Sequence, residues 1–322
     1  MAAAVLAAFL VFTWLRSEPP RPSKSRLLKV ERLARPSRET VGGSLGAFRL
    51  DGIWHLTSTW FYFGGFSSIV PLPGHRLLAV SDSGYRVSFV TPDRGRPRPL
   101  IADSDHIFPD EQYIRDVEST TIDPVRRTMW HGIEGDNAIL RTDYGWSRAS
   151  KVEPEAIAGW GTNSGPEAMV RLRDGRFVLL REAFTGWLEP RRHAAVLFAG
   201  DPVEGAKAQA FVFDGPDRFA PTDMAQMPDG RVLILMRRLV WPMPQRFAGR
   251  IAIADPREIR PGKPWRTRTV AYLNSSLPVD NFEGMAIVPD GGRLSVWIIS
   301  DDNFGAFQRT LLWKLSVDPR KL

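Results

Sequence analysis

Short apolar runs along the chain occur in pairs, and five of these pairs share one layout. In each, a small or acidic residue precedes an apolar run, a tight turn follows, and a second apolar run ends at a charge. Alternation with a period of two predicts β-strands, and the Asp-, Gly- and Arg-rich turns predict hairpins. The hairpins are predicted over Ser68–Asp82, Glu118–Glu134, Glu167–Glu182, Asp223–Arg237 and Glu283–Asp301.

The charged ends of these hairpins are expected to meet. Because the two strands of a hairpin are antiparallel, the start of the first and the end of the second lie at one edge. Five hairpins around a common axis would bring up to eight carboxylates to one mouth, and Arg237 takes a position that is acidic in every other copy. The eight are Asp82, Glu118, Glu134, Glu167, Glu182, Asp223, Glu283 and Asp301.

One or two further apolar runs follow each hairpin, which gives units of four strands and 40 to 60 residues. Such a period is typical of β-propeller blades, in which radial stacking buries both faces of each small sheet. We predict an all-β fold with five blades. A sixth is possible if Leu45–Thr59 forms an extra hairpin, and an array of β-sandwiches is the alternative fold. The last unit shows only three strands, so we expect the N-terminal run Leu27–Ala34 to supply the fourth and close the ring.

The first 25 residues have a different character from the rest. Ala2–Leu15 is an uncharged apolar run followed by a polar, proline-rich stretch. Fourteen residues are few for a membrane span and typical of a signal-peptide core, although no basic residue precedes the run and no A-x-A cleavage site follows it. We therefore expect a signal or anchor over residues 1–25, a propeller over residues 26–322, and an exported protein.

Composition narrows the range of functions. The net charge of +7 comes from scattered arginines rather than a basic stripe, so nucleic acid is not expected as a partner. The charge suits a small anionic substrate. Without cysteine, the chain has neither a thiolate nucleophile nor a Cys-ligated zinc. We expect a monomer that meets a membrane only through its N-terminal segment.

Several unusual runs resemble the phytase-like family, which is described by an esterase-like activity of phytase. The resemblance extends from about Phe66 to Leu315. It departs at Gly65–Ile69, where Ser68 replaces a family glycine, and the connection after Arg238 has no family counterpart. The runs that carry the resemblance are Asn163–Ala168, Phe219–Asp223, Asp280–Gly284, Ser300–Phe304 and Gln308–Leu312. The resemblance implies an exported bacterial β-propeller that is periplasmic or anchored in the membrane facing the periplasm. It also implies a relation to propeller phytases, which hold calcium in an acidic mouth.

Carboxylates gathered at one mouth repel each other unless a cation or arginine compensates them. Oxygen ligands suit Ca²⁺, which accepts six to eight of them in irregular geometry. Asp301, Asp302 and Asn303 form the best ligand run, and the other predicted metal ligands are Asp82, Glu118 and Glu283. Arginine is the second means of compensating these charges, since its guanidinium group binds carboxylate or phosphate through two hydrogen bonds.

The predicted function is calcium-dependent hydrolysis of a phosphate ester or a related ester. In this hypothesis a water on the metal attacks phosphorus, with Glu118 or Glu167 as general base, so chelation should abolish activity and calcium restore it. The full set of predicted catalytic residues is Glu118, Glu167, Glu283, Arg237 and Arg309.

Three alternatives remain open at this point. A lactonase-type propeller hydrolase would also use calcium, but arginines at the mouth count against it. A non-catalytic propeller could bind an acidic ligand or partner. Single acids such as Glu167 and Asp223 could instead fix the register between blades. His131 lies within an apolar run and is predicted to be a core imidazole.

Overall fold

The protein is seen in a computed structural model that describes residues 25, 27–94, 100–101, 103–106, 116–145, 147–186, 188–242, 245–274 and 276–322. The apolar run Ala2–Leu15 and nearly all of the linker after it lie outside these residues. The predicted signal or anchor therefore stays a prediction.

Five antiparallel sheets make up the described chain, and they form the five blades of a β-propeller, as predicted. The N-terminal segment consists of β1 (Leu27–Arg32), the short helix α1 (Arg38–Val41) and β2 (Arg49–Ser58). Blade 1 contains β3 (Phe66–Leu72), β4 (Arg76–Ser81), β5 (Tyr85–Val90) and β7 (Asp103–His106), and β6 (Leu100–Ile101), between β5 and β7 in the chain, pairs with β1 instead. Blade 2 contains β8 (Val117–Asp123), β9 (Thr128–Ile133), β10 (Ala138–Asp143) and β11 (Ala149–Val152).

The last three blades follow the same plan. Blade 3 contains β12 (Ala168–Arg171), β13 (Phe177–Phe184), β14 (Arg192–Phe198) and β15 (Ala208–Asp214). Blade 4 contains β16 (Ala220–Gln226), β17 (Val232–Pro242), β18 (Gln245–Ala254) and β20 (Arg268–Leu273), while β19 (Pro264–Arg266) returns to pair in parallel with β15. Blade 5 begins with β21 (Asn281–Asp290), β22 (Arg293–Asp301) and β23 (Leu311–Val317). Short 3₁₀ helices span Pro92–Arg94, Glu155–Trp160, Pro202–Glu204, Pro256–Glu258 and Pro319–Lys321.

The ring is closed within blade 5 by the N-terminal segment. The sheet order is β21-β22-β23-β2-β1-β6, so β2 is the fourth strand and β1 is the fifth. Closure by an N-terminal strand is confirmed, but assigning the fourth place to Leu27–Ala34 was wrong. The stretch Leu45–Thr59, considered as the start of a sixth blade, contains the strand that fills this place. Both stretches alternate in hydrophobicity, and only the pairing with β23 separates them.

The core is divided among the five interfaces between neighbouring blades. Each interface holds its own cluster of buried apolar side chains, and the largest lies between blades 4 and 5. The innermost strands β3, β8, β12, β16 and β21 each contact the next around a closed circle. This arrangement places the first residues of all five strands around one end of a central channel.

Candidate functional site: an acidic ring at one end of the channel

Each innermost strand has one residue at an equivalent place at or just before its start. In four of the strands the pairing register skips one residue at this place, which is the signature of a β-bulge. A bulge re-aims its extra side chain, and bulges are frequent beside functional sites. In blade 3 the residue at the corresponding place directly precedes β12. The five residues are Ser67, Glu118, Glu167, Thr222 and Glu283.

The second strand of each blade reaches this same level, where β4, β9 and β22 end and β13 and β17 continue past it. The residues there are Asp82, Glu134, Glu182, Arg237 and Asp301. The prediction that Arg237 occupies an otherwise acidic position is confirmed. Together with the glutamates of the bulges, these residues form what we call the acidic ring: Asp82, Glu118, Glu134, Glu167, Glu182, Glu283 and Asp301 around Arg237.

Asp223 does not belong to this ring. The bulge places Thr222 opposite the glutamates, so the hairpin of blade 4 is aligned one residue differently from the sequence-based prediction. Asp223 is fully buried and accepts hydrogen bonds from the backbone N–H groups of Met224, at 2.7 Å, and Met285, at 2.6 Å. Since Met285 lies in blade 5, Asp223 fixes the register between two blades. For Asp223, the alternative of a purely structural role between blades is therefore correct.

The hydroxyl residues of the ring positions also join neighbouring blades. Ser67 Oγ in blade 1 donates to the carbonyl of Val117 in blade 2. Thr222 Oγ1 in blade 4 donates, at 3.4 Å, to the carbonyl of Phe282 in blade 5. This position therefore holds glutamate in three blades. In the other two it holds a hydroxyl residue that forms a hydrogen bond to the next blade.

Three glutamates from two neighbouring blades come together within the ring. One carboxylate oxygen from each of Glu118, Glu134 and Glu167 lies within 4.8 Å of the others. The backbone N–H of Gly165 donates to Glu134 at 3.2 Å. Glu134 was expected at the mouth but was not predicted as a metal ligand or a catalytic residue, although it ends the hairpin that Glu118 begins. Its place at the end of that hairpin was the signal that could have identified it.

Burial and mutual repulsion dominate the electrostatics of this group. Burial raises the pKa of Glu118 well above its usual range, and the carboxylates of Glu283, Glu134 and Asp82 raise it further. Burial likewise raises the pKa of Glu167, with Glu118 and Glu182 adding to the effect. The pKa of Glu134 is raised by burial against the opposing effect of the Gly165 N–H. Without a cation, these groups hold protons more readily than ordinary carboxylates.

Arg237 is the positive charge of the ring, and it is engaged within the protein. Its Nη1 lies 2.9 Å from Glu283 Oε1 and donates at 2.6 Å to Asn281 Oδ1. Its Nη2 donates at 3.2 Å to Glu182 Oε1. Its pKa is raised by Glu283 and Glu182 against the effect of burial. Burial also raises the pKa of Glu283, which Arg237 lowers in part. Arg237 therefore compensates carboxylates across the mouth.

The predicted ligand run Asp301–Asn303 divides between the ring and its surroundings. Asp301 is buried in the ring, and its pKa is raised by burial and by Glu283. Asp302 accepts hydrogen bonds from the N–H groups of Gly65 and Phe304, both at 3.1 Å, and from Thr310 Oγ1 at 2.9 Å. Asn303 is exposed. Only Asp301 of the three lies in the acidic ring, whereas Asp302 ties blade 5 to blade 1.

Asp82 is part of the ring and depends on two glycines that precede β3. Burial raises its pKa, while hydrogen bonds from Ser83 lower it. A Cβ at Gly65 would lie 2.8 Å from Asp82 Oδ1, and one at Gly64 would lie 2.7 Å from Asp302 Oδ1. Both glycines have positive φ, which side chains other than glycine rarely adopt. Glycine is needed here because carboxylates approach the backbone closely.

Arg309 lies outside the ring. Its side chain is 44% exposed, and its Nε is 3.8 Å from Asp280 Oδ2. Its backbone N–H donates to the same oxygen at 3.1 Å. Burial raises the pKa of Asp280 to about 6, although the backbone N–H groups of Asn281 and Arg309 and the charge of Arg309 lower it. The structure therefore does not join Arg309 to Arg237 in one anion-binding pair.

The arginines around Phe219 form a separate group on blade 4. The Cζ atom of Arg238 lies 4.8 Å from the centre of the Phe219 ring. The Cζ atom of Arg250 lies 4.4 Å from the centre of the Phe219 ring and 4.4 Å from that of the Tyr272 ring. Within the described chain, no ion pair joins either arginine to a carboxylate. Guanidinium stacking on aromatic rings keeps the charge available to an incoming anion.

His131 is a core residue, as predicted. It is fully buried, and its Nδ1 and Nε2 lie 3.0 Å and 3.2 Å from the hydroxyls of Thr120 and Thr142. Burial lowers its pKa to about 3. It therefore stays neutral at physiological pH and lies apart from the acidic ring.

Comparison with known proteins agrees with this architecture. A family model described as "Phytase-like: Esterase-like activity of phytase" matches residues 62–304, about three quarters of the sequence. The chain belongs to the phytase-like family. The matched residues contain the whole acidic ring. The family and the fold together support a hydrolase-like propeller. The comparison with curated proteins gives no match.

Similar solved structures include two further proteins. One is described as the crystal structure of a nidogen/laminin complex, at 8% identity and a TM-score of 0.47, covering 90% of this chain and 99% of that one. The other is the Cps50 (Swd1) β-propeller domain of Myceliophteria thermophila, at 11% identity and a TM-score of 0.41, covering 88% and 99%. Within the described residues, no helix has the length and apolar character needed to cross a membrane.

Proposed function

We propose that this phytase-like protein is a calcium-dependent hydrolase of phosphate esters or related esters, with the acidic ring as its active site. The observation that carries the proposal is the close approach of Glu118, Glu134 and Glu167, with oxygens within 4.8 Å and raised pKa values. Perturbed carboxylates gathered in a cavity mark candidate functional sites.

The donor set fits a hard cation. All of its members are carboxylates, and Ca²⁺ prefers oxygen ligands in irregular geometry. Glu118, Glu134 and Glu167 would hold the ion, with Glu283, Asp301 and Asp82 nearby in the ring. A divalent cation would offset the repulsion that raises these pKa values, so its binding should release protons.

The residues of the ring divide the chemical work. When bound, calcium would polarise a phosphoryl oxygen and screen the negative charge that an anionic ester meets at the mouth. Arg237 keeps Glu182 and Glu283 in place. Glu118 or Glu167, once ionised, would accept a proton from the attacking water as the P–O bond to the leaving alcohol breaks.

One observation favours a second ester class. Arginine at the mouth had counted against a lactonase-type reaction, but Arg237 bonds to Glu182, Glu283 and Asn281. A ring whose guanidinium is already engaged is less suited to grip a phosphate and more compatible with a neutral ester or lactone. Carboxylic esters therefore belong in the substrate screen.

The experiment that tests the proposal is a metal titration of the full-length protein coupled to a substrate screen. Chelator-treated protein is assayed on phosphate monoesters, phosphate diesters and lactones, with and without added Ca²⁺. We expect calcium to bind, to release protons, and to restore hydrolysis of one class. Full activity in chelator would contradict the metal dependence, and an absence of calcium binding would contradict the site.

Matched variants locate the effect in the ring. Glu118→Gln and Glu167→Gln should each weaken calcium binding and turnover at least about tenfold, since each removes a charged ligand. Asp174→Asn is the control, because Asp174 lies in a turn at the other end of blade 3 and pairs with Arg176 at 2.8 Å. The control should bind calcium as the unaltered protein does.

We further propose that the protein is exported and acts in the periplasm, free or held by its N-terminal segment. The support is the apolar run Ala2–Leu15 and the proline-rich stretch after it. Cell fractionation with N-terminal sequencing of the mature protein tests this. Recovery of uncleaved protein in the cytosol would contradict it.

A further inference from the structure

Large exposed apolar side chains are distributed unevenly over the propeller. Among the described residues, nine of the ten lie on segments at the end of the channel that carries the acidic ring, which we call the acidic end. The nine are Leu27, Phe61, Tyr62, Leu188, Leu239, Val240, Trp241, Tyr272 and Phe307. The tenth, Val125, lies in the turn between β8 and β9 at the opposite end. Concentration of exposed apolar surface on one face marks an interaction site.

The topology explains why these residues share one end. The second strand of each blade reaches the acidic ring, so the loops that follow extend beyond it. Leu188 lies between β13 and β14 and is 72% exposed, and Phe307 lies between β22 and β23 and is 61% exposed. Phe61 and Tyr62 precede the glycines that contact Asp82 and Asp302. The loops of blade 3, of blade 5 and of the connection from β2 to β3 thus present apolar side chains around the mouth.

Among the described second strands, β17 extends furthest past the acidic ring. Strand β17 continues for five residues past Arg237, to Pro242, which is about 16 Å of strand at about 3.3 Å per residue. Leu239, Val240 and Trp241 are each about half exposed on this extension. Their partners on β18 include Phe247 and Arg246. An extended hairpin with apolar residues on both faces stands above the acidic mouth.

Positive charge accompanies this apolar rim. Arg238 and Arg250 stack on Phe219 at the base of the hairpin, and Arg246 is exposed on its second strand. Apolar tips with arginines set behind them match the order of a lipid leaflet approached from water, where headgroup phosphates overlie acyl chains. The opposite end of the molecule has no comparable set within the described residues.

The chain also enters the propeller at the acidic end. Leu28 pairs with Ser58 at the last residue of β2, so Leu27 lies at the level of the rim. In the sequence, twelve Cα–Cα steps lead from Leu15, the end of the apolar run, to Leu27, and they can span at most about 40 Å. Eleven residues lie between the two leucines. They include Arg16, Arg21, Lys24 and Arg26, and basic residues beside an apolar segment favour anionic lipid.

We propose that the acidic end of the propeller docks on a lipid bilayer, with Leu188, Phe307 and the exposed residues Leu239–Trp241 of β17 inserted among the headgroups. Within the described residues, the rim consists of separate tips around the mouth rather than one continuous patch, which suits a fluid surface better than a shaped protein partner. The short link to Leu15 would hold the same end toward the same surface. The inference does not depend on the proposed reaction.

The absence of cysteine allows a direct test on the full-length chain. Leu239→Cys, Leu188→Cys and Val125→Cys are each spin-labelled, and the protein is mixed with vesicles of phosphatidylcholine, with and without phosphatidylglycerol. Collision with oxygen, which dissolves in lipid, is compared with collision with a water-soluble nickel chelate. Thermal unfolding of each labelled protein confirms that it is folded.

Docking predicts a split between the labels. Those at positions 239 and 188 should gain oxygen collisions and lose nickel collisions on vesicle binding, more strongly with phosphatidylglycerol, whereas the label at 125 should not change. A second variant, Trp241→Ser, should move the ratio at position 188 back toward its value in solution. If all three labels stay aqueous on vesicle-bound protein, the N-terminal segment alone tethers it and the proposal fails. Immobilised labels without a gain in oxygen collisions would indicate a protein contact and would also overturn it.

Discussion

The two ends of the central channel are built from the same five strands but differ in chemistry. At the opposite end, side chains such as Ile69, Val170, Met224 and Met285 surround a cavity of about 240 Å³. Of the two arginines that line it, Arg171 is paired with Asp123 at 2.9 Å. At the acidic end, seven carboxylates surround one guanidinium, and burial raises the pKa of several of them. One end stabilises the propeller by apolar packing, whereas the other holds buried carboxylates that repel one another around a single arginine.

The largest expected effect comes from removing the positive charge of the acidic ring. Arg237→Met should lower the free energy of unfolding of the calcium-free protein by about 3–5 kcal/mol, because it leaves Glu182 and Glu283 without their partner. Urea denaturation at neutral pH measures this. Added calcium should recover part of the loss.

Arg309→Met is the matched control. Arg309 is 44% exposed and only 3.8 Å from Asp280, so the expected cost is less than about 1 kcal/mol. Equal losses for the two variants would mean that Arg237 has no special role in the ring.

A somewhat smaller effect is expected from the apolar end. Met285→Ala removes a side chain that is 2% exposed and should cost about 2–4 kcal/mol, through lost burial and the cavity left behind. Because this end holds no ring carboxylate, the loss should be the same with and without calcium. Paired urea curves test this, and a loss that calcium changes would show that the two ends are coupled.

The contact between blades made by Asp223 should have an intermediate effect. Asp223→Ala leaves the buried N–H groups of Met224 and Met285 without their acceptor, at a cost of about 1–3 kcal/mol. Calcium affinity, measured by titration calorimetry, should be unchanged because Asp223 lies outside the ring. Weaker calcium binding in this variant would place Asp223 back among the ligands.

The smallest effect should be the dependence of stability on pH in the calcium-free protein. Carboxyls whose folded pKa is raised contribute stability that is fully present below about pH 4.5 and is lost as pH rises through the folded pKa. We therefore expect thermal stability to fall as pH rises above about 4.5. Carboxyls with lowered pKa values, such as Asp318 at about 2, are already ionised in this window.

Glu118→Gln should flatten that pH profile, since it removes one of the groups that resists ionisation. Saturating calcium should flatten it as well. A profile that rises with pH in the calcium-free protein would contradict the raised pKa values of the ring.

The sequence allowed the propeller, its five blades and most of the acidic ring to be predicted, because hairpin alternation and the charges at hairpin ends are local patterns. The bulge that places Thr222, rather than Asp223, level with the ring glutamates cannot be recognised from the sequence around it. The turn after Asp301 was also beyond prediction. Its positive φ angles at Asn303 and Phe304 turn Asn303 away from the ring. Likewise, only long-range pairing decides that β2 rather than β1 neighbours β23.

The closing blade has a consequence for how the protein is made. Its sheet combines β2, near the beginning of the chain, with β23, near its end. A ribosome must therefore release almost the whole polypeptide before the circle can form, and until then blade 1 lacks its neighbour on one side. Completion after synthesis leaves the nascent chain open for longer than a fold built from consecutive segments, and it is compatible with transport of an unfolded precursor.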